Sequence, residues 1–415
     1  MRRISLRLNF ACRSCGGTNV KEILSLGNVP LANALVTHPD NDIDERYPLN
    51  LAYCPSCSLV QITETVDPEV LFGHYIYFSS YSETMIAHSK KLVDSLMHRF
   101  KLGSDSLVIE VASNDGYLLQ HFKPQKIPVL GIEPASNIAK IANERGIPTV
   151  CLFFGLNASR SLKDKGKEAD IILGLNVLAH VADINGFVEG ISVLLKETGT
   201  AIFEFPYVGD MIKNNEFDTI YHEHLCYYSL TSVKHLFNRN GLDIVDAEPV
   251  PIHGGSLRIY AMHSTAARGK VTCAAKDLLE KEKKEGITDY EFYSNFAKKV
   301  ETLKSDTLEL LNRLKKERKR IAGYGAAAKG STLLSYYGIG KEHIGFIADR
   351  SPHKQGKFMP GNHIPILSPE SLLKAQPDYV FLLTWNFQDE IMEQQAEYRR
   401  KGGKFIIPVP EVKVL

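Results

Sequence analysis

Two pairs of cysteines constrain this chain more than any other feature. Cys12-x-x-Cys15 and Cys54-x-x-Cys57 give the pattern C-x2-C-x38-C-x2-C. Each pair can turn as a knuckle and aim two thiolates at one metal ion while its backbone amides soften their charge. Four thiolates suit tetrahedral zinc. The insert is longer than in the usual ribbon, but Gly16-Gly17 after the first pair and Pro55 inside the second supply the tight turns a knuckle needs. A site closed by four cysteines keeps no position for water, so zinc here is expected to staple a fold and not to catalyse. Four unrelated buried thiols are the plainer alternative. An odd total of 7 cysteines argues against a disulfide framework. Cys151, Cys226 and Cys273 stand alone and are read as small core hydrophobes.

Charge and length then limit the function classes. Lys plus Arg number 49 and Asp plus Glu 48, so there is no basic excess to hold nucleic acid or an anionic membrane surface. No apolar run approaches the roughly 18 residues of a membrane span. The start Met1-Arg2-Arg3 leads into polar residues and not into a signal sequence. A cytoplasmic chain is expected. With 415 residues, about 100–200 per domain allows two to four domains. Three are expected: a turn-rich, cysteine-bearing module over 1–70, an α/β domain over 71–270, and a helical connection with a second α/β domain over 271–415.

In the middle region short apolar strands alternate with helical stretches, at 107–111, 131–133, 169–174 and 199–205. Val108-Ile109-Glu110-Val111 runs into the small, polar turn Ala112-Ser113-Asn114-Asp115-Gly116 and then into a helix, which lets a ligand approach the backbone at the carboxyl end of a sheet. No G-x-G-x-x-G or G-x-x-x-x-G-K occurs there, so a pyrophosphate cradle is not indicated. Glu133 closes the next strand, where a carboxylate can accept from both hydroxyls of a ribose. An acid-bearing first strand, a small-residue turn and a second-strand acid, followed by Asp170-Ile-Ile-Leu-Gly-Leu-Asn176, resemble the Class I S-adenosylmethionine methyltransferases. The resemblance implies cofactor contacts from Glu110, Ala112, Asn114, Asp115, Gly116, Glu133 and Asn176. A nonspecific Rossmann-like core is the bland alternative.

The wider chain carries a more specific likeness. The four-cysteine module, Leu26-Gly27 to Pro30-Leu31-Ala32-Asn33, Leu71-Phe72 to Tyr75-Ile76-Tyr77-Phe78-Ser79-Ser80, and Tyr221-His222-Glu223-His224 together resemble the sugar C-methyltransferases with an N-terminal zinc module. Those enzymes methylate C-3 of a nucleotide-linked 4-keto sugar. The resemblance implies that the zinc module packs over the active site, the middle domain binds S-adenosylmethionine, and the C-terminal domain holds the nucleotide of a dTDP- or GDP-linked deoxysugar. It maps Tyr75, His180, Tyr221, Glu223 and His224 onto active-site positions, and makes Tyr77, Ser79 and Ser80 candidates beside the cofactor. The chemistry asks for such residues. A C–H next to a ketone needs a base, and the enolate oxygen needs donors. His224 is the expected base, with Glu223 to fix its tautomer and Tyr221 and His180 to donate to sugar oxygens. Plainer readings are a pair of polar histidines at a turn and aromatic packing at 75–78. A metal at His222-x-His224 lacks H-E-x-x-H spacing.

From Thr272 to Arg320 the sequence is charged and helix-forming, with Leu303, Leu310, Leu311 and Leu314 on one stripe. A second α/β pattern follows, with strand candidates at 343–348, 379–383 and 405–408. Gly323-x-Gly325-x-x-Ala328 satisfies the dinucleotide fingerprint, and Asp349 ends the next strand. Alone this suggests an NAD-dependent oxidoreductase, and an empty Rossmann-like turn is also open. The resemblance instead gives Gly323, Tyr324, Gly325, Ala326, Lys329, Thr332 and Asp349 to the diphosphate and ribose of a nucleotide sugar, with Lys329 as a point charge. A third class, a binding protein that recruits a partner through its zinc module, would not require Tyr221 to His224. Three domains over one cleft need no second subunit, so a monomer is expected.

Overall fold

A computed structural model describes residues 10–39, 44–72, 78–252 and 254–415. Tyr75 and Tyr77 lie outside the described residues. The strands in chain order are β1 (Lys21–Pro30), β2 (Arg46–Tyr53), β3 (Val60–Ile62), β4 (Val108–Val111), β5 (Val129–Ile132), β6 (Thr149–Val150), β7 (Ala169–Leu175) and β8 (Leu195–Pro206). They continue with β9 (Cys226–Tyr227), β10 (Leu242–Val250), β11 (Ser256–His263), β12 (Ile321–Tyr324), β13 (Ile347–Ala348), β14 (Ile366–Leu367), β15 (Tyr379–Leu382), β16 (Lys404–Ile407) and β17 (Lys413–Val414).

These strands form three sheets. The first, β1-β2-β3-β9, is antiparallel, and its last strand comes from far along the chain. The second runs β10-β11-β8-β7-β4-β5-β6. Its strands β8, β7, β4, β5 and β6 are parallel, and β11 runs antiparallel to both of its neighbours. This is the Class I methyltransferase fold. The third, β14-β13-β12-β15-β16-β17, is parallel except for β17. Parallel strands covered by helices on both faces should read as continuous apolar runs, and β4, β12 and most of β7 are buried at successive positions. Strand order reverses between β4 and β7 in the second sheet and between β12 and β15 in the third. Crevices for ligands open at such points, at the carboxyl ends of the strands.

The charged stretch after Thr272 is two helices, Cys273–Glu285 and Tyr290–Lys316. Gly286 separates them at φ +79°, capping the first. The long helix buries Tyr293, Phe296, Val300, Leu303, Leu310, Leu311 and Leu314, one stripe at three- and four-residue spacing. The expected strand at 343–348 shortens to Ile347–Ala348. Residues 341–343 form a turn whose His343 amide bonds the Gly340 carbonyl. Of the three solitary cysteines only Cys226 is buried; Cys151 and Cys273 are exposed, which corrects the expectation that all three pack in the core. Cys151 follows an edge strand and Cys273 opens a helix, so neither position is covered. Among the described residues no helix is long and apolar enough to cross a membrane.

Candidate active site

The cysteine knuckles close as the spacing implies. Gly16 N–H donates to the Cys12 carbonyl (2.9 Å) and Ser58 N–H to that of Cys54 (2.8 Å). The four Sγ atoms lie within 4.8 Å of one another, with Cys12 to Cys57 at 3.6 Å and Cys15 to Cys54 at 3.5 Å. Thiolates about 2.3 Å from a tetrahedral zinc are separated by nearly these distances, so the residues fit the ion. Among the described residues these cysteines are the one group of three or more His, Cys, Asp or Glu side chains that converges in this way. Asn185 Nδ2 donates to the carbonyls of Arg13 (2.8 Å) and Ser14 (3.0 Å), docking the first knuckle on the middle domain.

The turn after β4 lies at the strand-order reversal of the second sheet. Ala112, Asn114 and Gly116 all have positive φ, so the backbone curls tightly. A Cβ at Gly116 would stand 2.8 Å from Ile147 Cγ1, which explains a glycine there. Glu133 accepts from the amides of Asn114 (3.0 Å) and Ala135 (2.9 Å). Burial raises its carboxyl above the usual range, and those two amides oppose the rise. Ser79 and Ser80 arrive beside this turn: Ser79 N–H donates to Asn114 Oδ1 (2.9 Å) and the Ser80 hydroxyl to Asp115. Asp115 also pairs with Arg145 (2.8 Å). Several buried oxygens of this crevice have no protein partner, namely Glu110 Oε2, Ser113 Oγ, Asp115 Oδ1 and Asn176 Oδ1. Unpaired buried polar atoms are costly, and a polar, donor-rich cofactor such as S-adenosylmethionine would satisfy them. Burial, with Glu133 and Asp115 nearby, holds the Glu110 carboxyl well above its ordinary value.

The catalytic candidates converge at the same reversal. Leu225 N–H donates to the Ala179 carbonyl (2.7 Å) and Ile62 N–H to the Leu225 carbonyl (3.0 Å), so residues 221–225 are stitched between the middle domain and the zinc module. His180, in the short turn after β7, meets His224 edge-on with ring centroids 4.8 Å apart. Burial lowers the His180 imidazole to about 4, against a hydrogen bond to the Glu223 backbone carbonyl, so it is neutral at neutral pH. His224 Nδ1 lies 3.0 Å from the Thr219 carbonyl and Nε2 lies 2.8 Å from the Tyr221 hydroxyl. A carbonyl only accepts, so Nδ1 carries the proton and Nε2 accepts from Tyr221. Thr219, not Glu223, therefore fixes the tautomer. The Glu223 carboxylate instead accepts from Asn33 Nδ2 (2.6 Å), and burial raises it to about 7 against that bond. His222 turns away. Its Nε2 donates to the Pro48 carbonyl (3.0 Å) and its ring lies edge-on to Tyr47, so it packs against the zinc module, and among the described residues it joins no converging group of metal-ligating side chains.

Nothing in the sequence around Asn33 or Thr219 marks them for these contacts by side-chain chemistry alone. Asn33 stands in a block that carried the resemblance, which was a usable signal. Thr219 acts through its backbone and left none.

The second turn, after β12, is arranged differently. The Asp349 carboxylate accepts from the amides of Ala326 (2.7 Å) and Ser351 (2.8 Å), closing its own loop. Gly325 has φ +92°, and a Cβ there would press within 2.3 Å of Thr384 Oγ1. That glycine serves close packing against the chain itself. Gly323 backs onto Ile347, Tyr324 and Thr332 are buried, and Lys329 Nζ lies 4.7 Å over the Trp385 ring and 3.2 Å from Asn386 Oδ1. A cavity of about 510 Å³ opens beside Tyr324, Arg350, Gln355 and Gln395.

Comparison with known proteins identifies the family of the chain. The "Putative zinc binding domain" family model matches residues 12–72, "Methyltransferase domain" matches 85–247 and "C-methyltransferase C-terminal domain" matches 251–410. The C-methyltransferase NovU of Streptomyces niveus is 38% identical over 405 residues, covering 97% of this chain and 96% of NovU. The ubiquinone biosynthesis O-methyltransferase of Bartonella quintana (strain Toulouse) is 26% identical over 93 residues, 22% of this chain and 38% of that protein. Among solved structures, the PH0226 protein from Pyrococcus horikoshii OT3 covers 48% of this chain and 97% of its own, at 14% identity and a TM-score of 0.38. With family models along its length and a full-length relative at that identity, the chain belongs to the S-adenosylmethionine-dependent C-methyltransferases.

Proposed function

We propose that this enzyme methylates C-3 of a nucleoside-diphosphate-linked (dTDP- or GDP-) 4-keto-deoxysugar, through an enolate, in branched-chain deoxysugar biosynthesis. The observation that carries the reading is the Tyr221–His224 pair, held in one tautomer beside a neutral His180 at the strand-order reversal of the methyltransferase sheet. With Nδ1–H bound to the Thr219 carbonyl, the Nε2 lone pair is the basic site. On substrate binding the Tyr221 hydroxyl turns from Nε2 to the C-4 oxygen. Nε2 then takes the C-3 proton, the C–H pair becomes the enolate, and its oxygen is stabilised by Tyr221 as a neutral donor and by His180 once its single N–H turns from the Glu223 carbonyl to that oxygen. S-adenosylmethionine supplies an electrophilic methyl group, and alignment of the enolate carbon with it is the main demand on the site. Glu110, Asn114, Glu133 and Asn176 would hold that cofactor, and the cavity beside Tyr324 and Arg350 would receive part of the nucleotide.

The test is proton exchange. Incubated in deuterated water with a dTDP-4-keto-deoxysugar and S-adenosylhomocysteine, the protein should exchange the C-3 hydrogen. His224→Asn should lose exchange and methyl transfer by about 10²- to 10⁴-fold, with S-adenosylhomocysteine affinity nearly unchanged. No exchange and no methyl transfer across a panel of dTDP- and GDP-linked 4-keto sugars would remove the substrate assignment.

A further inference from the structure

The residues that fix His224 trace back to the C-terminal domain. Thr219, whose carbonyl accepts from His224 Nδ1, ends the one-turn helix Phe217–Thr219. Its neighbour Asp218 is fully buried, and Asp218 Oδ2 accepts from the indole Nε1–H of Trp385 at 2.7 Å. Trp385 follows β15 and so stands at the strand-order reversal of the third sheet. It is the chain's single tryptophan. On the other flank Phe217 stacks on Tyr337, with centroids 5.2 Å apart and planes 24° apart. Tyr337 belongs to the helix Ala328–Tyr337 that opens from the glycine turn. The Lys329 ammonium, in the first turn of that helix, lies over the Trp385 ring and offsets the cost of burying the Asp218 charge. The short helix that presents the Thr219 carbonyl is thus clamped from both sides by the C-terminal domain.

We propose that Asp218 and Trp385 are positioning residues for His224, locking the Thr219 carbonyl in the orientation that selects the Nδ1–H tautomer and leaves Nε2 basic. The proposal rests on the reading of His224 as the base only for its kinetic consequence; the tautomer itself is observable without substrate. A displaced carbonyl lets the imidazole sample the other tautomer, in which Nε2 carries the proton and cannot accept one. Asparagine at 218 keeps an acceptor for the indole, so Asp218→Asn should preserve the lock. Asp218→Ala and Trp385→Phe should release it, the latter keeping an aromatic ring in place.

The experiment uses the full-length, zinc-loaded chain labelled with ¹⁵N-histidine, with the His224 ring signals assigned by comparison with His224→Asn. In the parent and in Asp218→Asn, Nδ1 should give the signature of a protonated nitrogen and Nε2 that of an acceptor. In Trp385→Phe and Asp218→Ala the two shifts should move toward each other. Methyl transfer to a dTDP-4-keto-deoxysugar should fall about 10- to 100-fold in kcat, with S-adenosylhomocysteine affinity by calorimetry within about twofold. Parent-like His224 shifts in Trp385→Phe overturn the proposal, even if Asp218→Ala fails to fold. Shifted signals together with an active His224→Asn variant would uphold the lock while removing His224 as the base.

Discussion

The two strand-order reversals solve the same topological problem in opposite ways. In the methyltransferase sheet the turn after β4 leaves Glu110, Ser113, Asp115 and Asn176 with buried oxygens that no protein group satisfies. In the third sheet the amides of the turn after β12 are satisfied from within, where Asp349 accepts from Ala326 and Ser351 and Thr384 fills the space over Gly325, and the buried oxygens left without a partner there are Tyr324 Oη and Asp218 Oδ1. The first is built to receive a polar molecule, and its polar atoms are free energy held in reserve for that ligand. The third-sheet reversal is occupied by Trp385, Lys329 and Asp218 of the segment that leads to His224. On the proposed reading one crevice receives the cofactor, while the other both offers a neighbouring cavity and props up the proposed catalytic turn. A glycine fingerprint alone does not separate these roles; the destination of the loop's amides does.

Three changes test the contrast, beginning with the largest effect. Glu133→Ala removes an acceptor from the open crevice, and calorimetry should show S-adenosylhomocysteine affinity falling about 10²- to 10⁴-fold, the worth of two hydrogen bonds to a charged group. Wild-type affinity in that variant would mean the open crevice is not the cofactor's. Asp349→Ala strips the closed loop of its internal acceptor and strands two amides. Thermal or denaturant unfolding should register a loss of about 1–3 kcal/mol with cofactor affinity intact. If stability were unchanged and only sugar-nucleotide KM rose, the loop would be a ligand cradle after all and the contrast would collapse.

The smallest effect concerns Glu216, which burial raises from 4.5 to about 7 against Asn214 and Lys329. A carboxyl raised in the folded state binds protons there more readily than when unfolded. Its stabilising contribution is therefore complete below about 4.5 and is lost as pH rises through about 7. Glu216→Gln escapes that loss. Its stability relative to the parent should climb by on the order of 1 kcal/mol between pH 5 and pH 8 in denaturant titrations. A constant difference would show that Lys329 already neutralises Glu216.

What the sequence disclosed follows from how local each feature is. The knuckles, the turn at 112–116 and the glycine turn at 323–328 are set by a few consecutive residues, and small or cysteine side chains mark them openly. The same holds for the apolar stripe of the long helix. Ser79 and Ser80 were legible as neighbours of the cofactor turn only through the resemblance, because nothing in their own stretch requires contact with Asn114 and Asp115. A carboxylate beside a histidine is a visible pair, so the sequence points to Glu223 for the tautomer; a backbone carbonyl has no side chain to advertise it. Asn33 and Glu223 are separated by 190 positions, and Asp218 and Trp385 by 167. Such partnerships are decided by how the three sheets meet.

The first sheet carries a further consequence, in time. Its edge strand β9 pairs Cys226 with Gln61 and Tyr227 with Val60, yet it leaves the ribosome long after the four cysteines. At about 5–20 residues per second the wait is on the order of ten seconds. During it the metal can already be captured, while β3 shows solvent an unpaired edge made of residues that end up entirely buried. An excised fragment that stops near residue 70 would keep that edge open permanently and should self-associate even when loaded with zinc. In the chain as it stands the strand that finally covers the edge lies two residues past His224, so the act that finishes the cysteine module also sets the proposed active site in place.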